Sequence, residues 1–205
     1  NSDGTARGLT IATGTAATVQ FNGTVGNSSA LGAIAITGTN TALDLNAAIT
    51  GAASVTIAGV SDLGGNVTTS GAQSYTGAVT VSGTGTRTLA GSTITNSSTI
   101  NGGSLALTIT GNSSIGGAIS SVSNFSVSGT TGLGANVSTT GTQTYTGAFT
   151  INSADRILTT TSATAGDTIV FGSTIDSDGA TARALTLTTG GATPTIRFNG
   201  VVGGT

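Results

Sequence analysis

The sequence predicts an all-β protein, a parallel β-helix (β-solenoid) of roughly nine coils with about 17–26 residues per coil. Three observations lead to this fold class: a stretch that occurs twice, a steady alternation of apolar residues, and a spacing of about twenty residues between successive apolar strands. The same pattern predicts one solenoid segment over residues 1–205, which belongs to a longer repeat array or to a filament.

The repeated stretch is the clearest of the three. Residues 63–83 read LGGNVTTSGAQSYTGAVTVSG, and residues 133–153 read LGANVSTTGTQTYTGAFTINS. The copies align without a gap, and each holds one of the chain's two tyrosines, Tyr75 and Tyr145. Such internal repetition indicates an array of equivalent units. With about twenty residues in a coil, the shift between the copies corresponds to three coils.

Apolar residues two positions apart define the strands, because this alternation turns one side of a strand inward. The pattern appears at Leu9/Ile11, Val19/Phe21, Ile34/Ile36, Leu43/Leu45, Val55/Ile57, Val79/Val81, Leu105/Leu107/Ile109, Phe125/Val127, Phe149/Ile151, Ile169/Phe171, Leu185/Leu187 and Ile196/Phe198. In the repeated stretch we expect the side chains of Val79, Val81, Phe149 and Ile151 to point inward. Thr80 and Thr150 should point outward. Turns rich in Gly, Asn and Ser separate the strands, and no helical pattern is present.

The strand spacing separates the solenoid from other repeat folds. Sandwiches repeat a strand about every 8–12 residues, and leucine-rich repeats need a Leu/Asn consensus that this chain lacks. Coils stacked at about 4.8 Å would make a rod roughly 40 Å long. Thr and Ser suit its outer faces, and Asn side chains can form ladders between coils. The candidate ladders are Asn22 with Asn199, and Asn66 with Asn136.

The composition of the chain narrows the range of possible functions. Only 6% of the residues are charged, against about 25% in an ordinary domain, yet 36% are hydrophobic and the net charge is −2, which argues against disorder. With five arginines and no lysine, the chain lacks the basic clusters of nucleic-acid-binding proteins. No apolar run approaches the roughly 20 residues of a membrane span, and without cysteine there is no disulfide or thiolate site. Because the chain starts at Asn1 without a signal peptide, we expect a mature fragment of a longer protein.

The two ends of the chain carry related sequences. Residues 1–26 read NSDGTARGLTIATGTAATVQFNGTVG, and residues 177–203 read SDGATARALTLTTGGATPTIRFNGVVG. They match in order with two one-residue slips, so the last coil should resemble the first. We therefore expect both ends to continue, either into further repeats or by head-to-tail stacking of subunits.

The phrases QSYTGAVT at 73–80, QTYTGAFT at 143–150, and FNG-x-VG at 21–26 and 198–203 resemble repeats of giant bacterial surface exoproteins of the filamentous haemagglutinin type and related autotransporter-like proteins. The resemblance covers essentially the whole chain. It implies a right-handed parallel β-helix that is secreted, extracellular and located on the bacterial cell surface. It also implies an adhesin, fibre or surface-layer role, and the class shares no catalytic residues.

Charged residues are the main candidates for a catalytic site. Asp3 with Arg7, repeated as Asp178 with Arg183, has the residue types with which some β-helix enzymes cut polysaccharides, using Asp-bound calcium and an Arg base. Asp176 and Asp178 have the residue types of a glycosidase pair but lie close together on a turn. We interpret the repeated Ser-Asp-Gly as a turn and the arginines as local surface partners.

The remaining candidates are isolated polar residues. We interpret Asp44, Asp62 and Asp167 as turn formers, because the Gly-Asp repeats of calcium-binding solenoids are absent. Tyr75 and Tyr145 could stack on sugars, but we expect them at coil corners with their hydroxyls in water. Asn-x-Ser/Thr sequences, which a suitable secretory host would glycosylate, occur at Asn22, Asn27, Asn66, Asn96, Asn112, Asn124 and Asn136.

Together these features predict a structural or adhesive surface protein, a stiff section of a fibre, filament or surface layer, and not an enzyme. We assign no catalytic, cofactor-binding or metal-binding residues and expect no cofactor. The expected partners are further copies or repeats of the chain and host or cell-surface glycans, without nucleic acid and without a transmembrane segment. The alternative is a carbohydrate-active β-helix enzyme or tailspike-like protein. An ice-binding solenoid, indicated by the Thr content, ranks below both because the coil length varies.

Overall fold

The computed structural model describes residues 3–38, 40–161, 168–179 and 181–204. These residues form strands and turns, without a helix. The strands are β1 (Leu9–Ile11), β2 (Ala17–Phe21), β3 (Leu31–Ile36), β4 (Thr41–Leu45), β5 (Ile49–Ile57), β6 (Ser61–Leu63), β7 (Val67–Thr69), β8 (Gln73–Tyr75), β9 (Val79–Val81), β10 (Arg87–Asn96), β11 (Ile100–Asn101), β12 (Leu107–Ile115), β13 (Ile119–Val122), β14 (Phe125–Val127), β15 (Thr131–Leu133), β16 (Val137–Thr139), β17 (Gln143–Tyr145), β18 (Phe149–Ile151), β19 (Arg156–Thr160), β20 (Thr168–Phe171), β21 (Ile175–Ser177), β22 (Leu185–Thr189) and β23 (Thr195–Phe198).

The strands form a solenoid with three faces. In the described residues, a 9-stranded sheet follows the order β2-β4-β6-β9-β11-β13-β16-β19-β22 and makes one face, which we call face 2. The 14-stranded sheet covers two faces, because β5, β10 and β12 are long enough to run round a corner. Strands β1, β3, β8, β15, β18 and β21 lie on face 1, and β7, β14, β17, β20 and β23 lie on face 3. The chain passes repeatedly over faces 1, 2 and 3 in that order.

The predicted fold class is confirmed. The pairings are parallel, and residues paired across neighbouring coils are separated by 18 positions from Thr131 to Phe149 and by 29 from Leu158 to Leu187. The longest coils therefore exceed the predicted 26 residues. The interior is closed over about seven turns, slightly fewer than the roughly nine coils predicted. The difference arises at the ends, where the inward side chains of the first and last turns, such as Leu9 and Leu185, are only partly covered.

Within the coils, buried positions recur every six residues. The first run is Leu43, Ile49, Val55, Ser61, Val67, Gln73 and Val79, and the second is Leu107, Ser113, Ile119, Phe125, Thr131, Val137, Gln143 and Phe149. Successive members of each run lie on successive faces, so the structural unit is a six-residue segment and three such segments close a coil. Extra residues between Val79 and Leu107 separate the two runs.

This unit changes the interpretation of the repeated stretch. In the first copy Tyr75 lies in β8 on face 1, whereas in the second copy Tyr145 lies in β17 on face 3. The prediction that the copies are three coils apart was therefore wrong, since they are separated by three coils and two further faces. The same sequence has thus been used at two different corners of the solenoid.

The predicted orientation of the strands is confirmed. Val79 and Val81 are 2% exposed, and Phe149 and Ile151 are also buried. Thr80, between the two valines, is exposed, and Thr150 occupies the outward position of β18, where it is half-buried. Moving an apolar side chain of this size out of water contributes roughly 1.5–3 kcal/mol, so the continuous interior is the main source of stability.

Candidate functional site

The repeated stretch builds a buried polar cluster in place of a surface site. Gln73 lies at an inward position of β8 and is fully buried. Its Nε2 donates hydrogen bonds to the carbonyl oxygens of Ala90 and Val67, at 2.8 and 3.1 Å, and to Thr69 Oγ1 at 3.3 Å. Its Oε1 accepts a hydrogen bond of 2.9 Å from the Tyr75 hydroxyl. The glutamine thus satisfies backbone carbonyls of two coils at a corner, where strand pairing is interrupted.

The second copy builds the same cluster at a different corner. Gln143 Nε2 donates to the carbonyl oxygen of Thr159 at 2.8 Å and to Thr139 Oγ1 at 3.2 Å, and Tyr145 donates to Gln143 Oε1 at 2.9 Å. In both copies the threonine hydroxyl also donates to a glycine carbonyl two residues on. Sequence analysis missed this role, although the signal was present: Gln and Tyr two residues apart in a strand must share one side.

The expectation that the tyrosine hydroxyls lie in water was wrong. Tyr75 is 1% exposed and Tyr145 is fully buried, so neither ring is accessible as a platform for a sugar. Burial raises the pKa of both phenols above the ordinary value of 10.0. Each tyrosine fits the interior because its only polar atom is satisfied by the neighbouring glutamine.

This burial predicts a loss of stability in alkaline solution. The chain has no His, Cys or Lys, so the free energy of unfolding should change little between about pH 6 and pH 9. Above about pH 10 the unfolded tyrosines lose protons that the folded ones retain, so stability should fall by up to about 1.4 kcal/mol per pH unit for each tyrosine. Urea unfolding at a series of pH values measures this. The variant with both Tyr75→Phe and Tyr145→Phe should lack the fall, and a flat wild-type curve to pH 12 would contradict the prediction.

Tyr145 is also the centre of an aromatic cluster. Its ring lies 4.8 Å from Phe149, 5.5 Å from Phe171 and 6.0 Å from Phe125, measured between ring centroids. Phe171 in turn stacks on Phe198 in the last coil, with centroids 5.4 Å apart and an angle of 2° between the rings. The cluster therefore continues the core from the closed coils to the end of the solenoid.

The two Asp–Arg sequence motifs form the local ion pairs that we predicted. Arg7 contacts Asp3 at 3.1 Å, and Arg183 contacts Asp178 at 2.9 Å. Hydrogen bonds from these arginines lower the pKa of both carboxyl groups, and the Ser153 amide also donates to Asp178. The two pairs lie in the first and last coils, so they do not form a common site.

The other carboxylates are dispersed. Asp176 accepts a hydrogen bond from the Gly204 amide, and Asp44 accepts one of 2.7 Å from Gln20. Asp44 and Asp62 are paired residues of adjacent coils on face 2 and lie within strands β4 and β6, not in turns as predicted. Asp167 lies outside the described residues. Among the residues that the structure describes, no group of three or more acidic residues is placed to hold a metal ion.

Asparagines link neighbouring coils, but in combinations that differ from those predicted. Asn22 bonds to Asn46 in the next coil at 3.0 Å, whereas Asn199 lies at the other end of the solenoid. Asn66 and Asn136 do not pair with each other. Their side-chain oxygens accept hydrogen bonds from the backbone amides of Thr88 and Ile157, both at 3.0 Å.

The Asn-x-Ser/Thr sequences include several of these bridging residues. Asn112 and Asn124 also bridge coils, through the amides of Thr130 and Thr142. Asn96 is 2% exposed and donates to the carbonyls of Ser98 and Gly117. The buried Asn96 side chain is closed to a glycan in the folded chain.

The ends of the solenoid expose apolar side chains beside the charged residues Asp3, Arg7 and Arg183. At the last coil, Phe198 is 47% exposed and Val202 is 58% exposed, and with Leu185 and Leu187 they surround a shallow hollow. At the first coil, Leu9, Phe21, Val25 and Leu31 border a second hollow. Among the described strands, β1 and β2 are the edge strands of the two sheets at the first coil, and β22 and β23 are the edge strands at the last coil.

Comparisons with protein-family models, with curated proteins and with solved structures gave no match to this chain. The described residues contain no helix that is long and apolar enough to cross a membrane.

Proposed function

We propose that this chain is a structural section of an extracellular surface protein, a stiff β-solenoid that forms part of a fibre, filament or surface layer. The observation that carries this proposal is the continuity of the stack. Two parallel sheets and one apolar interior extend along the described chain, and each coil is hydrogen-bonded to the next. Such a stack resists bending because any bend must separate backbone hydrogen bonds on one side.

The polar residues support the same role. Polar contacts either link two neighbouring coils or connect residues within one coil. They are the glutamine–tyrosine clusters, the asparagine bridges and the surface ion pairs. The described outer surface combines small hydroxyl side chains with few charges. These features suit a spacer that holds other modules away from a bacterial cell.

Stiffness can be measured directly because the chain contains no cysteine of its own. Thr18 and Thr186 occupy the same outward column of face 2, in the first and last coils, and both are exposed. Spin labels on Thr18→Cys and Thr186→Cys should give a narrow distance distribution near 38 Å before allowance for the linkers, from eight strand steps of about 4.8 Å. Dilution with unlabelled protein removes distances between molecules. Labels on Val60→Cys and Thr186→Cys form the matched control and should be about 29 Å apart.

A broad distribution for the long pair would overturn the proposal of a stiff rod. Catalysis is tested separately by incubating the chain with acidic and neutral polysaccharides in the presence of calcium. We expect no release of reducing ends. Release that is abolished by Asp178→Asn would replace the structural role with the enzymatic one.

A further inference from the structure

We propose that the last coil of one chain docks onto the first coil of a second copy, in one register and with a rotation of one face. This inference rests on the proposed structural function and specifies its partner. In the proposed contact, β1 of the second copy lies on β22, β2 lies on β23, and Val25 lies on Val202. Two independent observations lead to the same register.

The first observation is the path of the chain. The last described strand segment is the bridge at Val202, which pairs with Ile175 on face 1. Continuation of the solenoid would next place a strand on face 2 above β22, then one on face 3 above β23, and then one above Val202. A second copy supplies these segments in order as β1, β2 and Val25, provided that it is turned by one third of a revolution.

The second observation is the sequence of the same segments. Leu9-Thr10-Ile11 in β1 matches Leu185-Thr186-Leu187 in β22, and Val19-Gln20-Phe21 in β2 matches Ile196-Arg197-Phe198 in β23. Val25-Gly26 likewise matches Val202-Gly203. Within one chain, the matched strands lie on different faces, displaced by one face in the direction of the chain. The rotation that continues the path of the chain therefore also places each segment of the second copy on the segment whose sequence it matches.

The contacts in this register are complementary. Phe21 would stack on Phe198 as Phe198 already stacks on Phe171, and the half-exposed apolar residues of both ends would be buried together. Gln20 would lie above Arg197. Arg7 would lie near Arg183, but each of these arginines is already paired with an aspartate of its own chain, Asp3 or Asp178. Asn22 would lie above Asn199 and extend the amide ladder that it forms with Asn46.

The geometry of the resulting assembly follows from the register. The contact is heterologous, because it joins two different surfaces, and it builds an open filament instead of a closed pair. Each added copy should advance the axis by about 45 Å and turn it by one third of a revolution, since it continues the stack at about 4.8 Å per coil. Images of filaments should therefore show this rise, with every third subunit in the same orientation.

Cysteine cross-linking tests the register. Thr10, Gln20, Thr186 and Arg197 are outward and exposed, and parallel neighbours lie about 4.8 Å apart, within the range of a disulfide. Mixed under oxidising conditions, Thr10→Cys should link to Thr186→Cys, and Gln20→Cys to Arg197→Cys. The crossed mixtures, Thr10→Cys with Arg197→Cys and Gln20→Cys with Thr186→Cys, should link at least tenfold more slowly. Equal or greater yields from the crossed mixtures would overturn the register.

Sedimentation of the full chain across concentration tests the association itself. Wild-type protein should form assemblies that grow with concentration, and Phe198→Asp should remain monomeric. Ile157→Asp, at a side position that is 43% exposed, is the matched control and should assemble like the wild type. Circular dichroism checks that both variants are folded. A wild-type chain that stays monomeric at all concentrations would overturn the docking but would leave the spin-label test of the stiff rod unaffected.

Discussion

Replacing Tyr145 with alanine should lower the free energy of unfolding by about 3–5 kcal/mol, the cost of removing a large aromatic residue from a closed core. The ring is fully buried and has three aromatic neighbours, so its loss leaves a cavity that adjacent coils cannot readily fill. The change also removes the hydroxyl that bonds to Gln143 Oε1. Urea unfolding followed by circular dichroism measures the difference.

Tyr75→Ala is the matched control, since Tyr75 makes the same hydrogen bond to its glutamine. In the described residues, three close ring contacts involve Tyr145 and none involves Tyr75. The Tyr145 variant should therefore lose more stability, because an aromatic pair contributes about 0.5–1.5 kcal/mol beyond burial. Equal losses would show that the aromatic cluster adds nothing to the hydrogen-bonded motif.

Val81→Asp should unfold at least the coil that contains it. The side chain is 2% exposed and pairs in register with Leu63, which is fully buried. The change forfeits roughly 1.5–3 kcal/mol of burial and places a carboxylate at a position that is lined by apolar side chains such as Leu63 and Val79. Hydrogen exchange should show loss of protection in β6, β9 and β11, whose backbones are bonded to one another.

Acid should partly rescue this variant. Burial raises the pKa of a carboxylic acid, so the penalty is complete above the folded pKa and decreases as the pH falls towards the unfolded value of about 3.9. The difference in stability from the wild type should therefore shrink near pH 4. Thr80→Ser, at the exposed neighbouring position, should unfold like the wild type at both neutral and acidic pH. Unchanged melting of Val81→Asp would mean that the strand register is displaced by one residue.

Alternation made the strands predictable, because it depends only on neighbouring residues. Val79 and Val81 flank a threonine, and this pattern alone places them inward. The Asp3–Arg7 and Asp178–Arg183 pairs were predictable for the same reason, since each is formed within one turn of the chain.

Relations between coils were harder to predict because they depend on the length of every intervening turn. The two copies are separated by three coils and two further faces, and the extra residues between Val79 and Leu107 hide this relation in the number of residues between the copies. Asn22 and Asn199 have matching neighbours, yet a ladder needs adjacent coils, and these residues lie at opposite ends. The prediction that the tyrosine hydroxyls lie in water was wrong because it did not include Gln73 and Gln143. These side chains accept hydrogen bonds from the tyrosine hydroxyls in the interior.

The six-residue segment has a consequence for how such a chain can evolve. Loss or duplication of one segment would leave every later residue on its inward or outward side and would rotate everything downstream by one face about the axis. A gene could therefore change length in small steps without rebuilding the core. Each step would also rotate any module attached beyond the solenoid about the axis, so the number of segments would set the direction in which that module faces as well as its position along the axis.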